Sequence, residues 1–258
     1  MPNHISFKRL LSVMLAVMLA LASVNAAVAG EPDHTGVGMD VSGFHSLTFG
    51  GEPVDGSIFK ESTLTVVNIW QRWCGPCWAE MPDYARLYEH YCATPEADVN
   101  IWGMLYYDNP EQIQQAIEFV ADYGYNWDQM LICDEFTLVA ACGEEGAYLH
   151  IPQTLIIDRR GVVRAQIIGK VEDYDELFGL TQHWLEILPA EYAESMGDID
   201  ANGEVNALDA LAVLRFSLGI TDDIDAFFAD VDSNGTVNAL DALIILRRAL
   251  GVTAEFSA

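Results

Sequence analysis

The sequence predicts a three-layer α/β domain on a mixed sheet, followed by a small all-α unit made of two copies of one motif. Two observations carry the first part. Short β-branched and aromatic runs alternate with helical patterns and end in a hairpin and a helix, an order in which helices come to cover both faces of a sheet. Among those runs, "LTVVNIW" (64–70) is continuous rather than alternating, as a strand buried on both faces should be. One observation carries the second part. "GDIDANGEVNALDALAVLRFSLGI", starting at Gly197, returns as "ADVDSNGTVNALDALIILRRALGV", starting at Ala229, at a period of 230 − 198 = 32 residues. Copies this small must pack on each other, because neither buries a core alone.

In chain order, residues 1–29 form a targeting segment. Lys8 and Arg9 precede the uncharged "LLSVMLAVMLALASV", and small residues at Ala27 and Ala29 offer cleavage before Gly30. This is a secretory signal peptide; the competing reading is an uncleaved anchor, since the apolar run is nearly long enough to span. Residues 42–62 alternate around Gly50-Gly51 and Asp55-Gly56 as a hairpin. After strand 64–70, Met81, Tyr84, Leu87, Tyr88 and Tyr91 recur at helical spacing. "DVNIWGMLYY" (98–107) is a second buried strand, and "PEQIQQAIEFVADYG" (110–124) is a helix between Pro and Gly. "QMLICD", "QTLIIDRRG" and "VVRAQIIG" are strands, the last two turned by Arg159, Arg160 and Gly161. A helix over 172–188 closes the first domain. The expected division is a domain over 30–190, a short linker over 191–195 and the repeat unit over 196–258.

The formal net charge is −27, from 39 acidic and 12 basic residues. Nothing in such a chain neutralises a row of phosphates, so nucleic acid is excluded as a partner. The balance suits a soluble protein or one that binds cations.

Five cysteines lie at 74, 77, 92, 133 and 142. Cys133 and Cys142 can either pair in an oxidising compartment or remain buried thiols. Cys74 and Cys77, in "WCGPC", open a helix directly after a buried strand. At a helix N-terminus the unpaired amides and the dipole stabilise a thiolate at Cys74, while Cys77 waits one turn inside. A zinc half-site would need a second ligand pair at suitable spacing, and the sequence supplies none. The pair therefore reads as a redox-active disulfide.

These residues resemble the thioredoxin superfamily over roughly 40–190, and "VVNIWQRWCGPCWAEMP" is similar to its TlpA-like branch of exported thiol–disulfide oxidoreductases. The resemblance implies a thioredoxin-like fold in which Asn68 replaces a buried Asp, Glu80 is the helical glutamate near the dithiol and Pro82 kinks the helix. It also implies a cis proline facing the dithiol, for which "HIPQTLIID" offers Ile151-Pro152. Ile151, with its backbone, and Trp73 would then bind substrate, and Cys74, Cys77, Glu80 and Pro152 would form the catalytic set. The competing reading of Glu80 is a surface helix residue. The segment "CGEEGAYLH" before Pro152 is longer than the family's turn and bears on the shape of the substrate groove. Gly75-Pro76 sets no cation between the cysteines, and thioredoxins with this dipeptide poise near about −270 mV, which favours the reductase direction.

In the repeats, Asp198, Asp200, Asn202, Asn206 and Asp209 occupy positions 1, 3, 5, 9 and 12 of a loop with Gly203 at position 6. Asp230, Asp232, Asn234, Asn238, Asp241 and Gly235 repeat the pattern. Oxygen ligands at this spacing, with the carbonyls of Glu204 and Thr236 at position 7, specify two Ca²⁺ ions. Each loop lacks a convincing entering helix and exits into one helix, an F-hand. That combination resembles a type I dockerin over 196–254. The resemblance implies calcium-dependent docking into a cohesin domain of a scaffolding protein, as in cellulosomes. The positions it assigns to that contact are Ala207, Leu208, Leu214 and Arg215 in one repeat and Ala239, Leu240, Leu246 and Arg247 in the other. Ala-Leu departs from the hydroxyl residues often found at the first pair, which leaves the cohesin class open.

The sequence thus points to a secreted, extracellular thiol–disulfide oxidoreductase, working in the reductase or isomerase direction on protein thiols or disulfides. A cohesin-bearing scaffold would hold it, with no membrane attachment after signal cleavage. The alternative is a non-catalytic accessory module with a vestigial dithiol.

Overall fold

The structure is a computed structural model that describes residues 36–92, 98–107, 109–141 and 149–252. The targeting segment, Cys142 and most of the 142–150 stretch lie outside the described residues, and so does the question of a Cys133–Cys142 pair.

A hairpin of β1 (His45–Leu47) and β2 (Pro53–Asp55) leads through a 3₁₀ helix, Gly56–Glu61, into the central strand β3 (Leu64–Trp70). All residues of β3 are buried, as its unbroken apolar run requires. β3 pairs in parallel with β4 (Val99–Leu105), and β4 does so with β5 (Asp128–Leu131). On its other edge β3 meets β6 (Gln153–Asp158) antiparallel, and β6 meets β7 (Val163–Ile168) antiparallel. The order β5-β4-β3-β6-β7 is the expected mixed sheet.

Helices α1 (Gly75–Tyr91), α2 (Pro110–Tyr123) and α4 (Tyr174–Glu194) bury Met81, Tyr84, Leu87, Phe119, Leu177 and Leu188 against one face. Helix α3 (Asp134–Ala140), the hairpin and the 3₁₀ helix bury Phe44, Phe59, Phe136 and Val139 against the other. Each such side chain contributes about 1.5–3 kcal/mol on burial. At Gly103 in β4 an added Cβ would lie 2.0 Å from Gln129 Oε1, the atom that accepts the Trp70 Nε1 proton at 3.0 Å. A side chain at 103 would push the Gln129 amide aside and disturb that bond.

Helix α4 corrects the expected linker. It continues through Pro189 to Glu194, so most of 191–195 is its last turn. Pro189 removes one backbone donor, and Tyr192 anchors the turn beyond it. The Tyr192 hydroxyl donates to Thr63 O at 2.6 Å and accepts the Arg159 N–H at 2.9 Å.

The repeats fold as α5 (Ala207–Ser217), a single turn α6 (Ala226–Ala229) and α7 (Ala239–Ala249). Val213 and Ile245, both fully buried, meet between α5 and α7 in a small core of their own. Phe228 of α6 instead joins the core of the first domain beside Leu188 and Tyr192.

Candidate functional site

Cys74 is the N-cap of α1, its backbone extended and Pro76 in the first turn, where a missing N–H costs nothing. Cys74 and Cys77 are joined by a disulfide with Cα atoms 5.3 Å apart. The Cys77 N–H points at Cys74 Sγ from 3.2 Å, so the helix end supplies a backbone donor to the sulfur that becomes a thiolate on reduction. Cys77 is completely buried and Cys74 is 5% exposed. Attack from outside can therefore reach only the first sulfur.

The Ile151–Pro152 peptide bond is cis. Cys74 Sγ lies 3.9 Å from the Ile151 carbonyl oxygen, with Ile151 half-buried and Pro152 buried. Trp73 stands 60% exposed beside the disulfide. Cys74 and Ile151, 77 residues apart in the chain, thus lie side by side.

Glu80 is completely buried, which removes the surface reading of that residue. Its Oε1 accepts Asn68 Nδ2 at 2.8 Å and its Oε2 accepts the Val171 N–H at 3.0 Å. Burial pushes the Glu80 carboxyl up to about 7, against the lowering pull of the Val171 N–H, the Asn68 amide and the Lys170 charge. A carboxyl one helical turn beyond Cys77 is thus poised to exchange a proton near neutral pH. Asn68 Oδ1 is buried without a hydrogen-bond partner. A protonated Glu80 would give it one after rotation of the amide, so Asn68 can serve either state. Below them the Tyr84 hydroxyl and Thr154 Oγ1 lie 2.6 Å apart in the core.

Cys92 and Cys133 are not part of this centre. Burial pushes each thiol up to about 11, which keeps both protonated at neutral pH.

Sequence reasoning missed the flank of the dithiol. The Arg72 guanidinium lies 4.7 Å over Trp78 and 5.4 Å over Phe119, whose rings stack at 5.0 Å. With Glu118, Asp122 and Tyr123 they line an open groove. Arg72 and Trp78 bracket the Cys-x-x-Cys motif, a signal that was available.

The two repeats build nearly superimposable loops. In the first, Asp198 accepts the Asn202 N–H on Oδ1 and the Gly203 N–H on Oδ2, both at 3.1 Å. In the second, Asp230 accepts those of Asn234 at 3.1 Å and Gly235 at 2.7 Å. Asn202 Oδ1 accepts the Glu204 N–H and Asn234 Oδ1 that of Thr236, each at 2.9 Å. Gly203 (φ 87°) and Gly235 (φ 82°) take the left-handed conformation that bends each loop at position 6.

Carboxylate oxygens of Asp198, Asp200 and Asp209 lie within 4.8 Å of one another, as do those of Asp230, Asp232 and Asp241. Asp198, Asp209 and Asp241 are at most 6% exposed. Three hard oxygen donors gathered in each loop, with Asp200 exposed and Asp230 and Asp232 half-buried at the rim, match Ca²⁺, whose charge would offset their repulsion. The residues present therefore fit the ion.

Asn206 and Asn238, expected at position 9 of the ligand set, are the N-caps of α5 and α7. Their Oδ1 atoms accept Leu208 N–H and Leu240 N–H at 2.8 Å, and Asp209 and Asp241 complete a capping box at N3. Their amide groups donate to the carbonyls of Glu204 at 3.2 Å and Thr236 at 2.9 Å. With Oδ1 committed to the cap, position 9 would reach a cation through water.

Of the expected docking residues, Ala207, Leu208, Leu214, Arg215, Ala239, Leu240 and Arg247 are exposed and Leu246 is half-buried. Leu208 at 64% and Leu240 at 51% exposure are apolar side chains left to solvent at equivalent places in the two repeats. Among the described residues, no helix is long and apolar enough to cross a membrane.

Comparison with known proteins adds two family matches. The AhpC/TSA family model matches residues 37–166, and the dockerin type I domain model matches residues 196–250. The thiol:disulfide interchange protein DsbE of Vibrio cholerae serotype O1 is 27% identical over 202 residues, covering 74% of this chain and 97% of that protein. DsbE of Pseudomonas aeruginosa is 29% identical over 137 residues, covering 53% of this chain and 63% of that protein. A thioredoxin-family thiol:disulfide interchange protein from Chlorobium tepidum is 18% identical with a TM-score of 0.47, over 60% of this chain and 99% of that structure.

Proposed function

We propose a function on one premise: this chain belongs to the AhpC/TSA family, has a thioredoxin-like fold with a mixed sheet, and carries a type I dockerin domain. It is a DsbE-like thiol–disulfide oxidoreductase. The observation that carries this reading is the Cys74–Cys77 disulfide at the N-terminus of α1, facing the cis Ile151–Pro152 bond and backed by the buried Glu80.

In the reducing direction, the Cys74 thiolate attacks one sulfur of a substrate disulfide. An S–S bond forms between Cys74 and that sulfur, and the other leaves as a thiolate that takes a proton. Glu80 accepts the Cys77 proton, directly or through water, and the Cys77 thiolate attacks Cys74 Sγ. The mixed disulfide breaks, the substrate leaves reduced by two electrons, and Cys74–Cys77 is oxidised. Ile151 and Trp73 border the first sulfur and would hold the substrate strand, Ile151 through its backbone. Gly75-Pro76 favours this direction; run in reverse the same steps form a substrate disulfide, and resolution by a second substrate thiol in place of Cys77 would isomerise one and return Cys74 as a thiolate.

The remaining assignments rest on the dockerin and on residues 1–29. The chain is exported by its signal peptide and works extracellularly. Its repeats take up two Ca²⁺ ions through Asp198, Asp200, Asn202, the Glu204 carbonyl and Asp209, and through their counterparts Asp230, Asp232, Asn234, the Thr236 carbonyl and Asp241. Calcium supplies the charge that lets each set of carboxylates converge. A cohesin on a scaffolding protein then receives the face formed by Ala207, Leu208, Leu214 and Arg215, or that formed by Ala239, Leu240, Leu246 and Arg247.

Insulin reduction tests the activity. Turnover that depends on Cys74 is expected; equal rates for wild type and Cys74→Ser would leave only the accessory-module reading. Calcium-dependent capture by an immobilised cohesin tests the attachment.

A further inference from the structure

We infer that the β6–β7 turn is a recognition surface for the first calcium loop, so that the redox domain grips that loop when it is folded around its cation and loses it when the loop opens. The inference rests on the calcium reading above. Asp158, 1% exposed, accepts the backbone N–H groups of Arg160 and Val162 at 2.9 Å each and Arg164 Nε at 2.6 Å. A turn so fastened holds Arg159 and Arg160 against the repeat unit. Arg160 lies 3.8 Å over the Phe228 ring, and its Nη2 donates to the backbone oxygen of Asp198 at 2.8 Å. Arg159 lies 4.5 Å over Phe227 and pairs with Asp225 at 3.6 Å. Tyr192 sets its ring edge-on to both phenylalanines. Phe228 is 1% exposed, so this is a closed joint between the domains and not a tether.

Asp198 is position 1 of the loop, and the turn grips its carbonyl while its carboxylate is gathered with those of Asp200 and Asp209. Without a cation the three carboxylates repel, and the loop relieves this by opening. The Asp198 carbonyl then leaves Arg160. By linkage, whatever calcium does for the joint, the joint does equally for calcium. The counterpart Asp230 is half-buried where Asp198 is buried, so two loops of nearly one sequence become inequivalent through their surroundings.

All six tryptophans lie between residues 70 and 184, so tryptophan fluorescence follows the unfolding of the redox domain alone. In the full chain, calcium should raise the melting temperature read by tryptophan. The rise should survive Asp232→Ala, which disables loop 2, and vanish in Asp200→Ala, which disables loop 1. Neither change touches the redox domain, so the comparison stands even where Arg160→Ala folds poorly. In Arg160→Ala, calorimetric titration should show one calcium site weakened about tenfold, or about 1.4 kcal/mol, and the other unchanged. Two wild-type sites in Arg160→Ala, or an equal rise in Asp200→Ala and Asp232→Ala, would overturn the coupling while leaving calcium binding intact. A wild-type chain that takes up no calcium would overturn both.

Discussion

The dithiol site and the repeat loops both bury carboxylates, Glu80 in one and Asp198, Asp209 and Asp241 in the other, and the cost of doing so can be relieved in different ways. Glu80 is a single acid in an apolar core with two hydrogen-bond donors, and the surroundings drive it towards its protonated form. Asp209 accepts the N–H groups of Ile199 and Asn206 at 2.8 Å, yet it shares its site with two further carboxylates. A proton can quiet one buried acid, whereas three converging acids need a multivalent cation. That difference underlies the two proposed roles, proton exchange at Glu80 and cation uptake in the repeats.

The largest expected effect breaks the redox half of that contrast. Cys74→Ser should reduce insulin turnover to the uncatalysed background. Cys77→Ser should retain the nucleophile and accumulate mixed disulfides through Cys74, identified by mass spectrometry of the trapped peptides. Cys92, whose thiol burial pushes up to about 11, should trap none; comparable yields through Cys92 would refute the assignment of roles.

Calcium removal tests the other half. EDTA should unfold α5 and α7, which share only a small core, and the far-ultraviolet circular dichroism of the full chain should lose that helical signal. The redox domain keeps its own core and should still reduce insulin, at a lower melting temperature. An unchanged spectrum in EDTA would show that the loops need no cation.

A smaller effect separates Glu80 from a carboxylate that is merely structural. A carboxyl raised from its ordinary 4.5 to about 7 stabilises the fold below pH 4.5, and that contribution is lost as the pH rises through about 7. Denaturant titrations should therefore show stability falling across this window in wild type and staying flatter in Glu80→Gln. The same variant should slow resolution of the mixed disulfide more than its formation, measured by stopped flow with Cys77 intact. Equal slopes and equal rates for both proteins would remove Glu80 from proton transfer.

The smallest effect sharpens the comparison between the repeats themselves. Leu208 and Leu240 are presented alike, so Ala207→Asp with Leu208→Asp should weaken cohesin binding by less than about 1.4 kcal/mol, a tenfold change. The same pair of changes at Ala239 and Leu240 should behave likewise, and all four together should abolish binding. A larger loss in either pair alone would mean that one repeat dominates.

Legibility followed the range of the interaction. The buried strand 64–70 was legible to the residue, because a central strand covered on both faces shows as an unbroken β-branched and aromatic run. The cis bond at Pro152 and the meeting of Trp73, Ile151 and Cys74 came from resemblance. The burial of Glu80 did not come from periodicity, since a helix face that points at Asn68 and the Val171 N–H looks polar in sequence. The expected helix ended at 188, and the bonds and packing of Tyr192 anchor α4 beyond that point. Asn206 and Asn238 satisfy loop spacing and helix capping at once, and the sequence cannot choose between those uses.

By itself the sequence determined what local spacing encodes: a dithiol at a helix N-terminus, two 12-residue loops rich in oxygen donors, and a sheet with a buried centre. These depend on groups a few residues apart, whose relative positions the backbone geometry of a turn or helix sets directly. Only the tertiary structure decided that Glu80 holds its proton near neutrality, because desolvation is supplied by strands and helices remote in the chain. Only it decided that Arg160 bonds the Asp198 carbonyl of the first repeat loop and Phe228 enters the core of the first domain, because a turn at 159–161 and a loop at 198 meet across the sheet edge and share no pattern. Two repeats with one motif thus acquired different surroundings, since packing against a third body breaks a symmetry that the sequence alone preserves.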